Sequence, residues 1–413
     1  MIAQYDEIGV VVAQSSDPNF AAQAAALSGV GQVAEDPDRQ WLDPNEQAIE
    51  LTDDQLDANA LPPANAETFS ALQWNLHQIH SDQTAANGDR GNGVVRARVA
   101  VLDTGIFANH VDIRPNLNVA LSTSFVPGEP NINPPADGKF SHGTHVSGIV
   151  AAAINGVGTQ GVAPNAELVM VKVLHFAGSG SFASVIAGIE YASGALVHAD
   201  VINMSLGATF DRRNAGGGGL GPLLAALNRA VNHARARGTL VVSAAGNNGA
   251  DLNGRLFEVP GQSGNGMAVA ATGPVGFGAF GFNPPAVFDR LASYSNFGRS
   301  VINVAAPGGD LVFAGPPSVC TVPPVTAPCF VFDAVVSPGS MKNTPKGTVN
   351  QWFFAAGTSM ATPHVSGLAA LIVGKFGHMP PTRLQAIIER SADEVLPTAQ
   401  EGRGRIDALA ALQ

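Results

Sequence analysis

Four residues of this chain have side chains and surroundings suited to acyl transfer: Asp103, His142, Asn247 and Ser359. Ser359 lies in Gly357-Thr358-Ser359-Met360-Ala361-Thr362-Pro363-His364, and an apolar run from Val365 to Val373 follows at once. Proline is tolerated in the first turn of a helix. The spacing therefore predicts Ser359 at or just before a helix N-terminus, where free N–H groups and the helix dipole favour developing negative charge. Alone, the same stretch reads as a helix cap. Asp103 closes the apolar run Val99-Ala100-Val101-Leu102 and precedes Thr104-Gly105, the place for an acid that orients a partner base. His142 sits in Ser141-His142-Gly143-Thr144-His145-Val146, ahead of the small residues Ser147 to Ala153. Asn247 ends Val242-Ser243-Ala244-Ala245-Gly246, where a turn-forming amide is the plainer alternative. Together they make a working set. Ser359 attacks a carbonyl, His142 takes and returns the proton, and Asp103 fixes the tautomer. The Asn247 amide and the Ser359 N–H bind the oxyanion.

Such residues need a scaffold that delivers them to one place. From Gln73 onward, extended and helical patterns alternate. Strands are expected at Val95–Leu102, Leu168–Leu174, Val201–Ser205, Thr239–Ser243, Met267–Ala271 and Val301–Val304. Helices are expected at His145–Ile154, Ala183–Tyr191 and Leu223–Ala234. Continuous β-branched runs between helices predict an α/β chain with a mostly parallel central sheet covered on both faces. Active groups in such sheets gather beyond the carboxyl ends of the strands. Ahead of this body, residues 1–43 read as a small α+β unit, with a strand near Ile8–Val12, a helix over Phe20–Leu27 and an extended Val30–Val33. Residues 44–70, with Asp53, Asp54, Asp57, Pro62 and Pro63, read as an exposed linker.

The chain has 413 residues, 45% apolar and 13% charged, with 47 glycines and 28 prolines, enough for one large core and an appendage. The formal charge of -11 argues against binding nucleic acid through its phosphates. No apolar stretch has the length of a transmembrane helix, so no membrane partner is expected. No basic region followed by an apolar one opens the chain, so a secretory signal is not expected in it. Cys320 and Cys329, nine apart, favour a small disulfide loop and an oxidising compartment, two free thiols being the alternative.

The order Asp, His, Ser and three local motifs resemble the subtilisin-like serine proteases, the subtilases: Asp103-Thr104-Gly105, His142-Gly143-Thr144-His145 and Gly357-Thr358-Ser359-Met360-Ala361. The resemblance covers about residues 71–413. It implies a three-layer subtilisin-like fold and a secreted, monomeric serine endopeptidase acting on polypeptides without an organic cofactor. His145 is implied to be structural. Ser205-Leu206-Gly207 resembles the segment that pairs with an extended peptide, and Ala244-Ala245-Gly246 the opposite wall of the pocket before the scissile bond. Glu258 is expected near the base of that pocket, favouring basic side chains.

By the same resemblance, the loop from Ile154 to Pro164 is similar to a calcium-binding loop. Asn155 would give a side-chain oxygen, Ala153, Val157 and Thr159 carbonyls, and Asp112 a carboxylate. A metal-free glycine turn is the alternative. Residues 1–43 resemble the second half of a subtilase propeptide, which implies a zymogen cut between Pro44 and Leu72. Residues 308–355, holding both cysteines and an expected Phe330–Val335/Trp352–Ala355 strand pair, read as a long insertion bordering the cleft. Three rivals are weaker. An aspartic protease needs a second Asp-Thr-Gly or Asp-Ser-Gly, and none exists here. Gly216 to Gly221 matches a dinucleotide fingerprint but lies well past its strand, with no acid about 20 residues on. A non-catalytic binding or scaffold module would not need every chemical residue kept.

Overall fold

Runs of Val, Ile, Leu and Ala carry too little polarity to face water on either side, so they pair with one another inside the molecule. In the computed structural model, which describes residues 1–44, 46–63, 66–213, 219–311 and 318–413, seven strands form one sheet. They are β1 (Arg98–Asp103), β2 (Thr123–Ser124), β3 (Glu167–Lys172), β4 (Val201–Met204), β5 (Leu240–Ala244), β6 (Met267–Thr272) and β7 (Val304–Pro307). Their spatial order is β7-β6-β5-β4-β1-β3-β2, and every neighbouring pair is parallel. Five helices matter for the site: α1 (His142–Ala151), α2 (Phe182–Ser193), α3 (Leu220–Ala236), α4 (Thr358–Phe376) and α5 (Pro381–Arg390). Residues of α1, α4 and α5 share one core cluster, and residues of α2 and α3 share another, each with strand side chains between. This is a three-layer α/β fold with a fully parallel sheet.

The strands begin and end within a few residues of the sequence expectation, with one clear shift. The last is Val304–Pro307, not Val301–Val304. The first helix starts at His142 instead of His145, because Ser141 keeps an extended backbone as its N-cap. Helix α4 starts at Thr358, which puts Pro363 in the second turn, not the first. A proline there cannot donate to the carbonyl four residues back. That carbonyl belongs to Ser359, and the Ser205 hydroxyl donates to it instead at 2.7 Å. The helix keeps its proline, and the freed oxygen ties α4 to the end of β4.

The N-terminal unit holds a hairpin, Ala3–Tyr5 with Val10–Val12, and a helix over Phe20–Ala25; Val30–Val33 forms no strand. Residues 44–70 differ from an exposed linker. Ala48–Leu51 is a strand that pairs antiparallel with Gly347–Ala355, itself paired with Val335–Thr344. Leu51, Glu67 and Phe69 are buried. In the insertion, Cys329–Asp333 is a short helix, so Phe330 lies outside the strand pair, which starts at Val335. Cys320 and Cys329 form a disulfide joining the ends of the Val319–Val322/Val325–Pro328 hairpin. Residues 312–317 of the insertion and Gly216–Gly218 of the glycine run lie outside the described residues. Gly219 is left-handed at φ 76°, and α3 begins directly after it.

Candidate active site

Three sheet strands and two helices converge on one cleft. Asp103 ends β1, and its side chain is fully buried. His142 opens α1 across from it, with Nδ1 2.9 Å from each carboxylate oxygen of Asp103. The Thr104 N–H also donates to Asp103 Oδ1 at 2.6 Å, which fixes the carboxylate's rotation. Ser359 is the second residue of α4, where N–H groups lack helical partners. Its hydroxyl lies 3.4 Å from the Ser205 carbonyl, and His142 Nε2 makes no hydrogen bond among the described residues.

Asn247 follows β5 and is anchored by its oxygen. Oδ1 accepts from the Thr358 N–H at 3.0 Å and from the Thr358 hydroxyl at 2.7 Å. That leaves the amide NH₂ as the end free to donate into the cleft. Gly246 makes the turn possible. Its φ of 90° is left-handed, and a Cβ there would press on Asn296 and the Glu258 carboxylate. Its N–H donates to the Thr358 hydroxyl at 3.1 Å, so Thr358 locks both residues.

A cavity of about 580 Å³ lies between Leu206–Gly207 on one side and Ala244 and Gly246 on the other, reaching Asn247 and Ser359. Glu258 is buried on its wall, close to where side chains at Gly207 or Gly246 would sit, and accepts from Thr209. Burial pushes its carboxyl up to about 8, with the Thr209 bond pulling the other way. Val259–Pro260 is cis and follows it directly. His145 points away into the core, with Nε2 3.0 Å from the Phe353 carbonyl. Burial holds it neutral, at about 3.

The cleft already holds peptide. Arg39–Gln40 pairs antiparallel with Ser179–Gly180, the Trp41 N–H donates to Gly178 at 2.9 Å, and the Gly207 N–H donates to the Trp41 carbonyl at 2.8 Å. Residues 39–41 are thus an extra strand between two edges. The Trp41 ring is buried edge-on against Phe182 at 4.9 Å, and its indole donates to Gly180 at 2.9 Å. Asp36 caps α2 through Phe182 and Ala183. Beyond Asp43 the chain turns, and Glu46 enters the site with a side chain only 6% exposed. Its carboxylate stands beside Ser359 and 3.6 Å from His142 Nε2, with neither oxygen hydrogen-bonded by standard geometry. Burial pushes Glu46 up, His142 pulls it down and Asp103 adds to the rise. For His142, burial alone would lower the imidazole, but Asp103 and Glu46 outweigh it and raise it to about 9.

The loop expected to bind calcium does not suit a cation. Asp112 Oδ2 accepts from Trp352 Nε1 at 2.8 Å and from the Thr159 N–H at 3.1 Å, while Oδ1 faces the Asn155 NH₂ at 3.4 Å. Asn155 Oδ1 is taken by the Val157 N–H at 3.1 Å. Glu67 accepts the N–H groups of Asn155 and Gly156, each at 2.9 Å. The two side-chain oxygens that a metal needs thus face protein donors, and the carbonyls of Ala153, Val157 and Thr159 have no side-chain pair to complete. Among the described residues, no group of three or more His, Cys, Asp or Glu side chains is placed to hold a metal.

The structure places Asp103, His142 and Ser359 around Glu46, and sets Ser359 and Asn247 beside Leu206, Gly207, Ala244, Gly246 and Glu258 on one cavity. Trp41, Glu46, Gly178–Gly180 and Thr358 were not foreseen. A lone large aromatic just before an acidic, proline-bearing stretch was the available signal for the first two.

The chain is similar to known proteins. The Subtilase family matches residues 92–407. Alkaline elastase YaB of Bacillus sp. (strain YaB) is 34% identical over 372 residues, spanning 88% of this chain and 78% of that one. Subtilisin Savinase of Lederbergia lenta is 33% identical over 341 residues, spanning 83% and 98%. A solved protease from Pseudoalteromonas arctica PAMC 21717 superposes with a TM-score of 0.64 at 29% identity, covering 85% of this chain and 99% of its own.

Proposed function

The chain belongs to the subtilase family, and on that premise we propose that it hydrolyses peptide bonds through an acyl-enzyme on Ser359. Serine endopeptidase activity follows from the family; the residue roles are our reading. The observation that supports them best is the Asp103–His142 contact, 2.9 Å to both oxygens, in the cleft that also holds Ser359 and Asn247. His142 Nδ1–H is held by Asp103, which leaves Nε2 to take the Ser359 proton and return it to the leaving amine. As the carbonyl becomes tetrahedral, its oxygen gains charge, and the Asn247 NH₂ and the Ser359 N–H supply donors already aimed there. A substrate strand lies between Ser179–Gly180 and Gly207, where main-chain pairing gives affinity tolerant of sequence. Glu258, uncharged at neutral pH in the empty pocket, favours basic side chains by ionising when one enters; a cleavage survey with only bulky apolar preference would sink that part. No step is routed through calcium.

Residues 39–44 and Glu46 occupy this same cleft, so we read the described chain as a precursor whose own N-terminal segment is its first ligand. A processing cut belongs between Pro44 and Leu72, with residues 1–43 as a propeptide-like unit and 71–413 as the peptidase domain. The disulfide supports a secreted, oxidising setting. No helix among the described residues is long and apolar enough to cross a membrane.

The test is intact mass before and after fluorophosphonate treatment, beside Ser359→Ala. A single adduct absent from the variant is expected, and casein hydrolysis that survives Ser359→Ala would overturn the reading. Asn247→Leu should lower kcat about 10²–10³-fold, a magnitude carried over from subtilisin itself and not calculated from this geometry.

A further inference from the structure

Lys172 ends β3 with its side chain fully buried. A buried ammonium is costly unless each of its three N–H groups finds an acceptor. Here each does. Nζ lies 2.6 Å from the Thr104 carbonyl, 2.6 Å from the Leu174 carbonyl and 2.8 Å from Glu129 Oε2, with the Phe176 ring 3.7 Å away. Burial lowers its pKa, and Glu129 and Asp103 act against that.

The placement of those acceptors gives Lys172 a task. Thr104 directly follows Asp103, and the β1–β3 register sets Asp103 opposite Lys172. The Asp103 carbonyl accepts the N–H of Val173 at 3.0 Å. On its other side, the Thr104–Gly105 turn is pressed against α1 so closely that a Cβ at Gly143 would collide with the Gly105 carbonyl. The turn carrying the acid is thus clamped between the helix of His142 and one ammonium. Leu174, the second acceptor, leads into Gly178–Gly180, the edge that pairs with peptide. Among the described residues no lysine or arginine forms an ion pair with Asp103, so the buried charge of Lys172 bears on the Asp103–His142 pair without competition from a direct partner.

Resting on the roles given above to Asp103 and His142, we infer that Lys172, with Glu129 as its counter-ion, is a positioning residue for the reaction. It orients the Asp103 turn and, through its charge, sets where His142 gives up its proton. Asp103 faces Lys172 from β1, and Glu129 faces it from the loop after β2. His175 shares Glu129 at 2.8 Å and lies 3.5 Å from Asp38, and Glu46 faces His142. His145, buried and neutral, also lies near His142.

Two full-chain variants test this by opposite signs. Lys172→Met removes the cation at similar side-chain length and leaves the carboxylates uncompensated. The imidazolium is then favoured, and the His142 titration moves to higher pH. Glu129→Gln keeps the ammonium and removes its counter-ion, so the titration moves to lower pH. Shifts of about half a pH unit or more are expected from one buried charge. The readouts are the far-downfield Nδ1 proton of His142 by NMR across pH, which needs no turnover, and the pH dependence of fluorophosphonate adduct formation. Lys172→Met should also slow the adduct at neutral pH at least about tenfold. Unmoved titrations in both variants, or shifts of the same sign, overturn the inference even if rates fall, since a merely structural lysine would give that result. If Lys172→Met does not fold, Glu129→Gln, whose side chain is partly exposed, decides alone. A wild-type Ser359 still unlabelled after the N-terminal segment has been removed by limited proteolysis would count against the acyl-enzyme reading, while the NMR titration would still judge Lys172.

Discussion

At the scale of residues, His142 stands between two carboxylates, and only one belongs to the reaction. Asp103 holds Nδ1, while Glu46 approaches Nε2, the atom proposed to accept the Ser359 proton. Raised to about 9, His142 is an imidazolium at neutral pH and cannot act as a base. Glu46→Gln should therefore increase fluorophosphonate labelling of the unprocessed chain at pH 7 by about tenfold or more and move its rising limb from near 9 toward the reference range of about 6.5. Labelling with the same pH profile as wild type would show that Glu46 does not hold the site silent. Linkage gives a second readout. A raised histidine contributes stability that is fully present below its unfolded pKa and lost as pH rises through 9. The precursor's Tm should thus decline from pH 7 to 9, and less steeply in Glu46→Gln. The motif residues were legible because each sits in a short stretch whose local chemistry is unusual. Glu46 and Lys172 were not. Their roles come from groups distant in sequence, Lys172 reaching Thr104 68 positions away, and a lone charge within Val169-Met170-Val171-Lys172-Val173-Leu174 was the only hint.

At the scale of elements, periodicity located the parallel strands well because burial on both faces leaves an unbroken apolar run. It failed where pairing decides. Ala48–Leu51 is a strand because Gly347–Ala355 offers it an edge, and nothing in its own composition required one. The glycine loop after α1 resembles a calcium-binding loop, a metal-free glycine turn being the alternative. Its fate depends instead on Trp352 and Glu67, which arrive from that same added sheet and from the stretch read as linker. Chelation with EDTA should accordingly leave Tm unchanged to within about a degree. Trp352→Phe, which strips one donor from the buried Asp112, should cost about 1–3 kcal/mol, roughly 1–3 °C in Tm for a chain of this length. A calcium-dependent rise in Tm that Asp112→Asn abolishes would show that the loop takes a cation after all. The second-turn proline of α4 is a similar case. Its sequence position suggested a helix start, but the Ser205 hydroxyl lets it sit further in.

At the scale of the whole molecule, the three layers bury histidines as neutral groups. His364 is within α4, with Nδ1 2.8 Å from the Met360 carbonyl and Nε2 2.8 Å from the Asn75 amide, and burial holds it at about 4. His145 is held at about 3. The unfolded chain protonates both near 6.5, so it binds more protons than the fold below that pH, and stability falls as pH drops from 6.5 toward 4. Glu258 and Asp112, raised by burial to about 8 and about 7, run the other way, so the histidine effect is read by difference. Relative to wild type, the denaturant midpoint of His364→Gln should rise on going from pH 7 to pH 5. An unchanged difference would mean that His364 is charged in the fold. The cleft occupied by residues 39–44 and Glu46 has a kinetic consequence as well. A ligand on the same chain has an effective concentration that dilution cannot lower. The first cut should therefore be first order, with a half-time independent of how much protein is present. Once the chain is severed, the same segment becomes a separate molecule whose hold weakens with dilution, so its release and every later turnover depend on concentration.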